Sequence, residues 1–140
     1  MKILGIDPGE KNIGIAISDP TGTLARPLVV LKTISRQVNA HRIQALAEKE
    51  QIDLIIIGQA TDEDGKPNVS GRKAARLAGE LRSLTNTPIE LWDESYSTQD
   101  AQALTLRLGV PKKARQGHQD EIAAAIILQS YLDAHHEEPF

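Results

Sequence analysis

The sequence has no cysteine among its 140 residues, and only 3% of its residues are aromatic. The lack of cysteine excludes a disulfide framework, a thiolate metal site and a cysteine nucleophile. It also suits the reducing cytoplasm in which we expect the protein to act. The scarcity of aromatic side chains argues against base stacking on an aromatic platform as the main mode of nucleic-acid binding.

Long apolar runs are also lacking, since none approaches the roughly 18 residues that a membrane span needs. Asp7 lies where a signal peptide would be apolar, so we expect neither a targeting segment nor a membrane partner. A net charge of −3 gives no global indication of nucleic-acid binding. With 40% apolar and 25% charged residues, the composition is typical of a globular protein, and we expect one domain over residues 1–140.

The first part of the chain predicts an antiparallel meander. Three apolar segments, residues 2–7, 13–19 and 24–32, are separated by short sequences that contain proline and glycine, so consecutive strands would pair through tight turns. Pro27 lies inside the third segment and has no backbone N–H to donate to a neighbouring strand. We therefore expect this strand at the edge of a sheet or at a bulge.

After the meander, helical and strand patterns alternate. Ser35 is positioned to cap a helix, and residues 54–58 form a continuous apolar run of the kind that is buried on both faces of a sheet. The further predicted elements are a loop over residues 61–69, a helix over 74–81, a strand over 88–92, a helix that begins at Ser97 or Thr98, a loop over 109–117 and a final helix over 119–134. This order predicts an α/β fold with a mixed five-stranded sheet and helices packed on it.

Three acidic residues are singled out by their positions. Asp7 ends the first predicted strand, Glu94 follows the last strand, and Asp120 opens the final helix. Ligand sites of open α/β sheets form where strands end at one edge, so Asp7 and Glu94 would face one cleft if the first and last strands were neighbours. Gathered carboxylates repel each other, and Mg²⁺ would relieve that repulsion. Taken singly, such acids are most often helix caps or solvated charges.

Four blocks of the sequence occur in the order found in a known family. They are ILGIDPGEKNIGIAISD at residues 3–19, IIIG at 55–58 with the later Asp64-Gly65, DESYST at 93–98 and DEIAAAIILQSYLD at 120–133. Together these blocks resemble the YqgF/RuvX family of bacterial RNase H-like proteins, which are named as Holliday junction resolvases or pre-16S rRNA nucleases. The resemblance covers almost the whole chain and implies an RNase H-like fold.

By this resemblance, Asp7, Glu94 and Asp120 are the catalytic acids and the ligands of Mg²⁺ or Mn²⁺. The implied reaction is endonucleolytic cleavage that matures the 5′ end of the 16S rRNA precursor, with pre-ribosomal particles as further partners. The chain departs from the family pattern at Ser95, where an Arg could hold phosphate with two hydrogen bonds, and at residues 59–60, where the family usually has Leu-Pro. These departures bear on substrate preference rather than on the fold.

Two segments carry basic residues and no acid, and both are candidates for contact with a nucleic-acid backbone. The first spans residues 66–79 and the second spans 107–117. Solvated charges on a helix and a loop would give the same pattern. With the lysine that follows the first strand and could hold a phosphate as a point charge, the candidate nucleic-acid-binding residues are Lys11, Arg72, Lys73, Arg76, Lys112, Lys113 and Arg115.

Two other functions stay open at this point. A ribosome-assembly factor that binds RNA without cleaving it is consistent with Ser95 in place of Arg, and it predicts salt-sensitive binding that needs no divalent metal. A Holliday junction resolvase shares the chemistry but makes two symmetric cuts in branched DNA, which calls for a homodimer. An enzyme that cleaves an rRNA precursor could act as a monomer or as a homodimer, so the sequence leaves the oligomeric state open.

Overall fold

The strands of the structure form one five-stranded sheet with helices on both faces. The computed structural model describes residues 1–94 and 119–135. Its strands are β1 (Ile3–Pro8), β2 (Asn12–Ser18), β3 (Ala25–Lys32), β4 (Leu54–Gln59) and β5 (Ile89–Asp93). Its helices are α1 (Arg36–Lys49), α2 (Val69–Leu84) and α3 (Gln119–His135). The predicted α/β fold is confirmed, whereas the helix predicted from Ser97 or Thr98 and the loop over residues 109–117 lie outside the described residues.

The strand order in the sheet is β3-β2-β1-β4-β5. The first three strands pair antiparallel, which confirms the predicted meander, and β4 and β5 extend the sheet parallel to β1. In the described part of the chain, β3 is an edge strand. The register between β2 and β3 shifts between Ile15 and Ala16, so that Ala16 pairs with Pro27. Both expectations for Pro27, an edge and a bulge, are therefore met.

The two faces of the sheet have separate hydrophobic cores because side chains alternate along each strand. On one face, α1 and α2 cover a cluster that includes Leu4, Ile6 and Ile57. On the other face, α3 covers a cluster that includes Ile3 and Ile56. β4 is buried on both faces, as its apolar run predicts. Within the described ranges, no helix is both long enough and apolar enough to cross a membrane.

Both helices that connect the strands begin at a side-chain cap. The Ser35 hydroxyl accepts a hydrogen bond at 3.2 Å from the backbone N–H three residues later, which confirms its predicted role. α2 begins at Val69, well before the apolar spacing that starts at Ala74, because Asn68 supplies the cap through a 2.9 Å hydrogen bond from a backbone N–H. The apolar spacing marks only the buried part of this helix, so the preceding loop ends earlier than predicted.

α3 lies close to the sheet because the strand beneath it carries Gly5. A Cβ atom at Gly5 would be 2.7 Å from Cβ of Leu128 and 3.4 Å from the carbonyl oxygen of Ala124. Further along α3, Gln129 is almost fully buried and accepts a 2.8 Å hydrogen bond from the backbone N–H of Ala25, at the start of β3. These contacts fix the distance of α3 from the sheet and its direction across it.

We predict that Gly5→Ala destabilises the protein by about 1–3 kcal/mol, the usual cost of overpacking. The added methyl group meets Leu128 at its Cβ, which no rotation of the side chain can move away. Gly79 on α2 is the matched control, since no described heavy atom lies within 4 Å of a Cβ at that position. Gly79→Ala should stabilise the protein by about 0.5–1 kcal/mol. Urea denaturation measures both values, and equal effects would contradict the close approach of α3.

Candidate active site

The carboxyl ends of β1, β4 and β5 lie at one edge of the sheet because the three strands are parallel. Asp7 lies near the end of β1, and Glu94 directly follows β5. The first and last strands are not neighbours, as the sequence argument had required, because β4 lies between them. At this level β4 carries Gly58, which pairs with Trp92 of β5. Between the two acids, β4 therefore presents a glycine, and no side chain fills the space.

The side chain of Glu94 occupies the space over Gly58. A Cβ atom at Gly58 would lie 3.0 Å from Oε1 of Glu94 and 2.8 Å from Cδ1 of Ile127 in α3. Any larger residue would therefore displace the carboxylate of Glu94 and the end of the Ile127 side chain. The Glu94 carboxyl forms a hydrogen bond with the carboxyl of Asp7, so the structure brings these two predicted site residues together.

The surroundings of the Asp7–Glu94 pair disfavour negative charge. Burial raises the pKa of Glu94, the hydrogen bond with Asp7 lowers it in part, and the charge of Asp93 raises it further. The resulting pKa lies above the ordinary value for glutamate. Two carboxyl groups can share a hydrogen bond only if one of them carries a proton. A divalent cation could replace that proton, and carboxylate oxygens are ligands of Mg²⁺ and Mn²⁺, so the donors present fit such an ion.

The neighbouring acid, Asp93, belongs to the other side of the sheet. It pairs with Gln59 in the β4–β5 register, and its Oδ1 accepts a 3.0 Å hydrogen bond from the hydroxyl of Thr61. Because successive side chains of a strand point to opposite faces, only one member of the Asp93–Glu94 pair can face α3. That member is Glu94.

The third predicted acid, Asp120, lies in the first turn of α3. Its side chain is outside the described part of the structure. Among the side chains that the structure does describe, no group of three or more His, Asp or Glu residues is arranged to hold a metal ion. The three-acid metal site therefore stays a prediction. The structure describes two of its three side chains, those of Asp7 and Glu94, and brings them together.

The predicted basic residues divide between the described and the undescribed parts of the chain. Lys11 is exposed in the turn between β1 and β2, and Arg72, Lys73 and Arg76 are exposed on α2, which packs on the face opposite α3. Nζ of Lys73 lies 3.8 Å from Oε1 of Glu10. The other three candidate nucleic-acid-binding residues lie outside the described part of the chain: Lys112, Lys113 and Arg115.

A cavity of about 470 Å³, which no sequence pattern predicted, opens beside the carboxyl end of β1. Its wall runs from residues 8–10 to the first turns of α1 and α2, and it includes Arg36 and Asn39. The available signal was Asn39 itself. This polar residue lies at helical spacing from the apolar positions Ile43 and Ala47, on the buried face of α1.

Comparison with known proteins gives a consistent assignment. The family model described as "RuvX: Holliday junction resolvase" matches residues 1–134. The chain belongs to the RuvX family. A relative from Syntrophus aciditrophicus, named "Putative pre-16S rRNA nuclease", is 37% identical over 96% of this chain and 89% of its own length. A relative of the same name from Thermoanaerobacter pseudethanolicus is 35% identical over 96% of this chain and 97% of its own length.

A solved structure supports the fold of this RuvX-family chain. T. thermophilus RuvC in complex with a Holliday junction substrate is similar to it with a TM-score of 0.62. The match covers 100% of this chain and 99% of the RuvC chain at 19% sequence identity. At that identity the likeness concerns the fold, and it confirms the RNase H-like architecture.

We predict that Glu94→Gln raises the melting temperature by a few degrees at neutral pH in the presence of EDTA. The raised pKa of Glu94 means that its charged form is less favourable in the folded protein than in the unfolded chain. This penalty is present when the pH is above the folded pKa. It disappears when the pH falls below about 4.3, the ordinary value for glutamate, because both states are then protonated.

Thermal melts of both proteins between neutral and acidic pH measure this effect. The difference in melting temperature should shrink as the pH falls, since the neutral amide keeps a hydrogen bond to Asp7 without the charge. A Glu94→Gln protein that melts below the wild type at neutral pH would contradict the description of the pair.

Proposed function

We propose that this chain is a divalent-metal-dependent endonuclease that hydrolyses phosphodiester bonds of structured nucleic acid. Asp7, Glu94 and Asp120 are its catalytic acids and the ligands of Mg²⁺ or Mn²⁺. The observation that carries the proposal is the carboxyl pair of Asp7 and Glu94 over Gly58 at the end of three parallel strands. Membership of the RuvX family supports the same reaction.

The path of α3 supports Asp120 as the third acid. Gln129 bonds to the start of β3, which is level with the start of β1, whereas Ala124 lies over Gly5 in the middle of β1. Followed towards its first turn, α3 therefore runs to the carboxyl end of β1. Four helical residues rise about 6 Å, and two strand residues extend about 6.6 Å. Residue 120 is thus expected at about the level of Asp7.

The protein's own part in this reaction is to hold charge in a fixed arrangement. When bound, Mg²⁺ or Mn²⁺ supplies an activated water and stabilises the leaving oxygen in phosphodiester hydrolysis. Asp7 is fixed by strand pairing with Gly14 of β2, and Glu94 is fixed by the space over Gly58. Partial burial lowers the local dielectric constant and so strengthens the field of the two carboxylates. Lys11 and the cations of α2 attract the phosphates of the substrate.

The substrate that we propose is a precursor of 16S rRNA in the cytoplasm, free or in pre-ribosomal particles. The names of the two curated relatives support this choice. Resolution of Holliday junctions is the second candidate, because the matching family model carries that description. The two differ in symmetry, since a junction requires two related cuts and hence a homodimer.

The test is cleavage of a labelled rRNA precursor fragment and of a four-way DNA junction with Mn²⁺, Mg²⁺ or EDTA. We expect metal-dependent cleavage of the RNA. Asp7→Asn should lower the rate by about a hundredfold or more, as the loss of a catalytic group does. Asp53→Asn is the matched control, since Asp53 binds the backbone of Lys2 at the opposite end of the strands. This control should cleave at the wild-type rate.

Each alternative has its own outcome in this assay. Cleavage of the junction alone would favour the resolvase. Absence of cleavage, together with salt-sensitive RNA binding that persists in EDTA, would favour an assembly factor without catalysis. A folded Asp7→Asn protein that cleaves as fast as the wild type would remove Asp7 from the site.

A second prediction concerns the residue that separates the two acids. Gly58→Ala should lower the cleavage rate by about a hundredfold, the effect expected when a catalytic group is displaced by about 1 Å. The new methyl group would meet Oε1 of Glu94 and Cδ1 of Ile127. Gly79→Ala, which introduces the same methyl group on the outer side of α2, should leave the rate unchanged. An unimpaired, folded Gly58→Ala protein would show that the position of Glu94 is not critical.

A further inference from the structure

The cavity beside β1 lies on the opposite face of the sheet from the Asp7–Glu94 pair but shares the same strand end. Its wall includes Pro8, the residue after Asp7, and consecutive Cα atoms are only about 3.8 Å apart. The other walls come from β2, from residues 33–35 and from the N-terminal halves of α1 and α2. A strand of substrate that passes over this edge of the sheet would therefore meet the carboxylates and the cavity in succession.

The charges at the cavity are mainly positive. Arg36, Lys73 and Arg76 line it, and Glu10 is its one acidic residue among those described. Arg36 forms an ion pair with Glu80 at 3.3 Å, and Lys73 lies 3.8 Å from Glu10. Arg76 has no ion pair with any residue in the described ranges. The balance of charge favours an anion.

A buried amide adds a hydrogen-bond donor to this cavity. Asn39 lines the cavity and is only 6% exposed. Its Oδ1 accepts a 3.1 Å hydrogen bond from the backbone N–H of Ile34, which leaves the NH₂ group as the second polar end. No acceptor for that group occurs among the described residues. A buried donor without an acceptor is unfavourable, so the site is suited to a ligand that brings an oxygen.

Apolar residues form a further part of the wall, beside the hydroxyl groups of Thr33, Ser35 and Ser70. Ile34 is 64% exposed and supplies most of this apolar surface, since Ile13 and Leu77 are only 1% and 5% exposed. A small inorganic anion would use the cations and the amide but would leave this apolar surface in contact with water. A nucleotide would use both, because its phosphate is anionic and its base has apolar faces.

We propose that this cavity is a binding site for the phosphate and base of one nucleotide, which Arg36, Lys73, Arg76 and the amide of Asn39 recognise. One part of this inference rests on the proposed function: we take the bound nucleotide to belong to the substrate strand, next to the nucleotide that is cleaved. A free nucleotide has the same chemistry and is the other possible source. Lys73 lies 3.8 Å from the carboxylate of Glu10. A bound phosphate would therefore replace one anionic partner of Lys73 by another.

The test is a titration of the ¹⁵N-labelled full chain in EDTA, so that neither metal nor cleavage enters. The ligands are inorganic phosphate, adenosine 5′-monophosphate and a short single-stranded RNA, each at matched ionic strength. The readout is the side-chain NH₂ signal of Asn39, assigned through its loss in Asn39→Asp. That variant keeps the oxygen that binds Ile34 and removes the donor. We expect the signal to shift with the nucleotide ligands and to saturate.

Charge variants separate this site from general attraction to the surface. Arg76→Gln should weaken RNA binding about three- to tenfold and should lower the slope of log affinity against log salt by about one. Lys49→Gln removes one exposed charge at the far end of α1 and should change the affinity by less than about twofold. Glu10→Gln should strengthen binding, because it frees Lys73 without a loss of positive charge.

The outcomes are distinct from those of the cleavage assay. Shifts with RNA alone identify the substrate strand as the source, and equal shifts with the mononucleotide identify a free nucleotide. The proposal is overturned if no ligand moves the Asn39 signal, or if Arg76→Gln and Lys49→Gln weaken binding equally. The titration is carried out in EDTA, in which the protein cleaves no substrate. An inactive nuclease would therefore leave this result intact.

Discussion

The structure depends on the close contact between α3 and the sheet, which two glycines make possible. Gly5 leaves room for Leu128 and so allows the helix to cover its face of the sheet without a gap. Gly58, one strand away, leaves room for Ile127 and also for the carboxylate of Glu94. Packing and chemistry therefore have the same requirement. Because β4 has a glycine at this level, the side chain of Glu94, which follows β5, can reach across β4 towards Asp7 of β1.

This arrangement keeps two carboxyl groups together in a partly buried position, which is unfavourable for the fold alone. The raised pKa of Glu94 records that cost, because burial and a neighbouring negative charge both oppose ionisation. The cores on the two faces of the sheet provide the stabilisation that offsets it. The unfavourable pair is thus built on strands that pack against helices on both faces, which is the kind of support that holds a site in a fixed geometry.

The sequence predicted the features that depend on local patterns. The meander, the cap at Ser35 and the edge position of Pro27 follow from turn residues, hydrogen-bonding capacity and the spacing of apolar residues. The position of β4 between β1 and β5 could not be predicted in this way, because it depends on pairing between distant strands. The cavity was missed because Asn39 lies in an apolar helical pattern, where a single polar residue is easily taken as incidental.

The sheet separates the Asp7–Glu94 carboxyl pair from the cations that line the cavity. The end of β1 marks the boundary, since Asp7 faces α3 and Pro8 lines the cavity near the cations of α2. An acidic centre alone would repel a polyanion, and cations in direct contact with the carboxylates would compete with a metal ion for them. Separation by the thickness of one strand avoids both effects. The cations can hold phosphates of the substrate, and the carboxylates remain available to a divalent ion at the neighbouring phosphate.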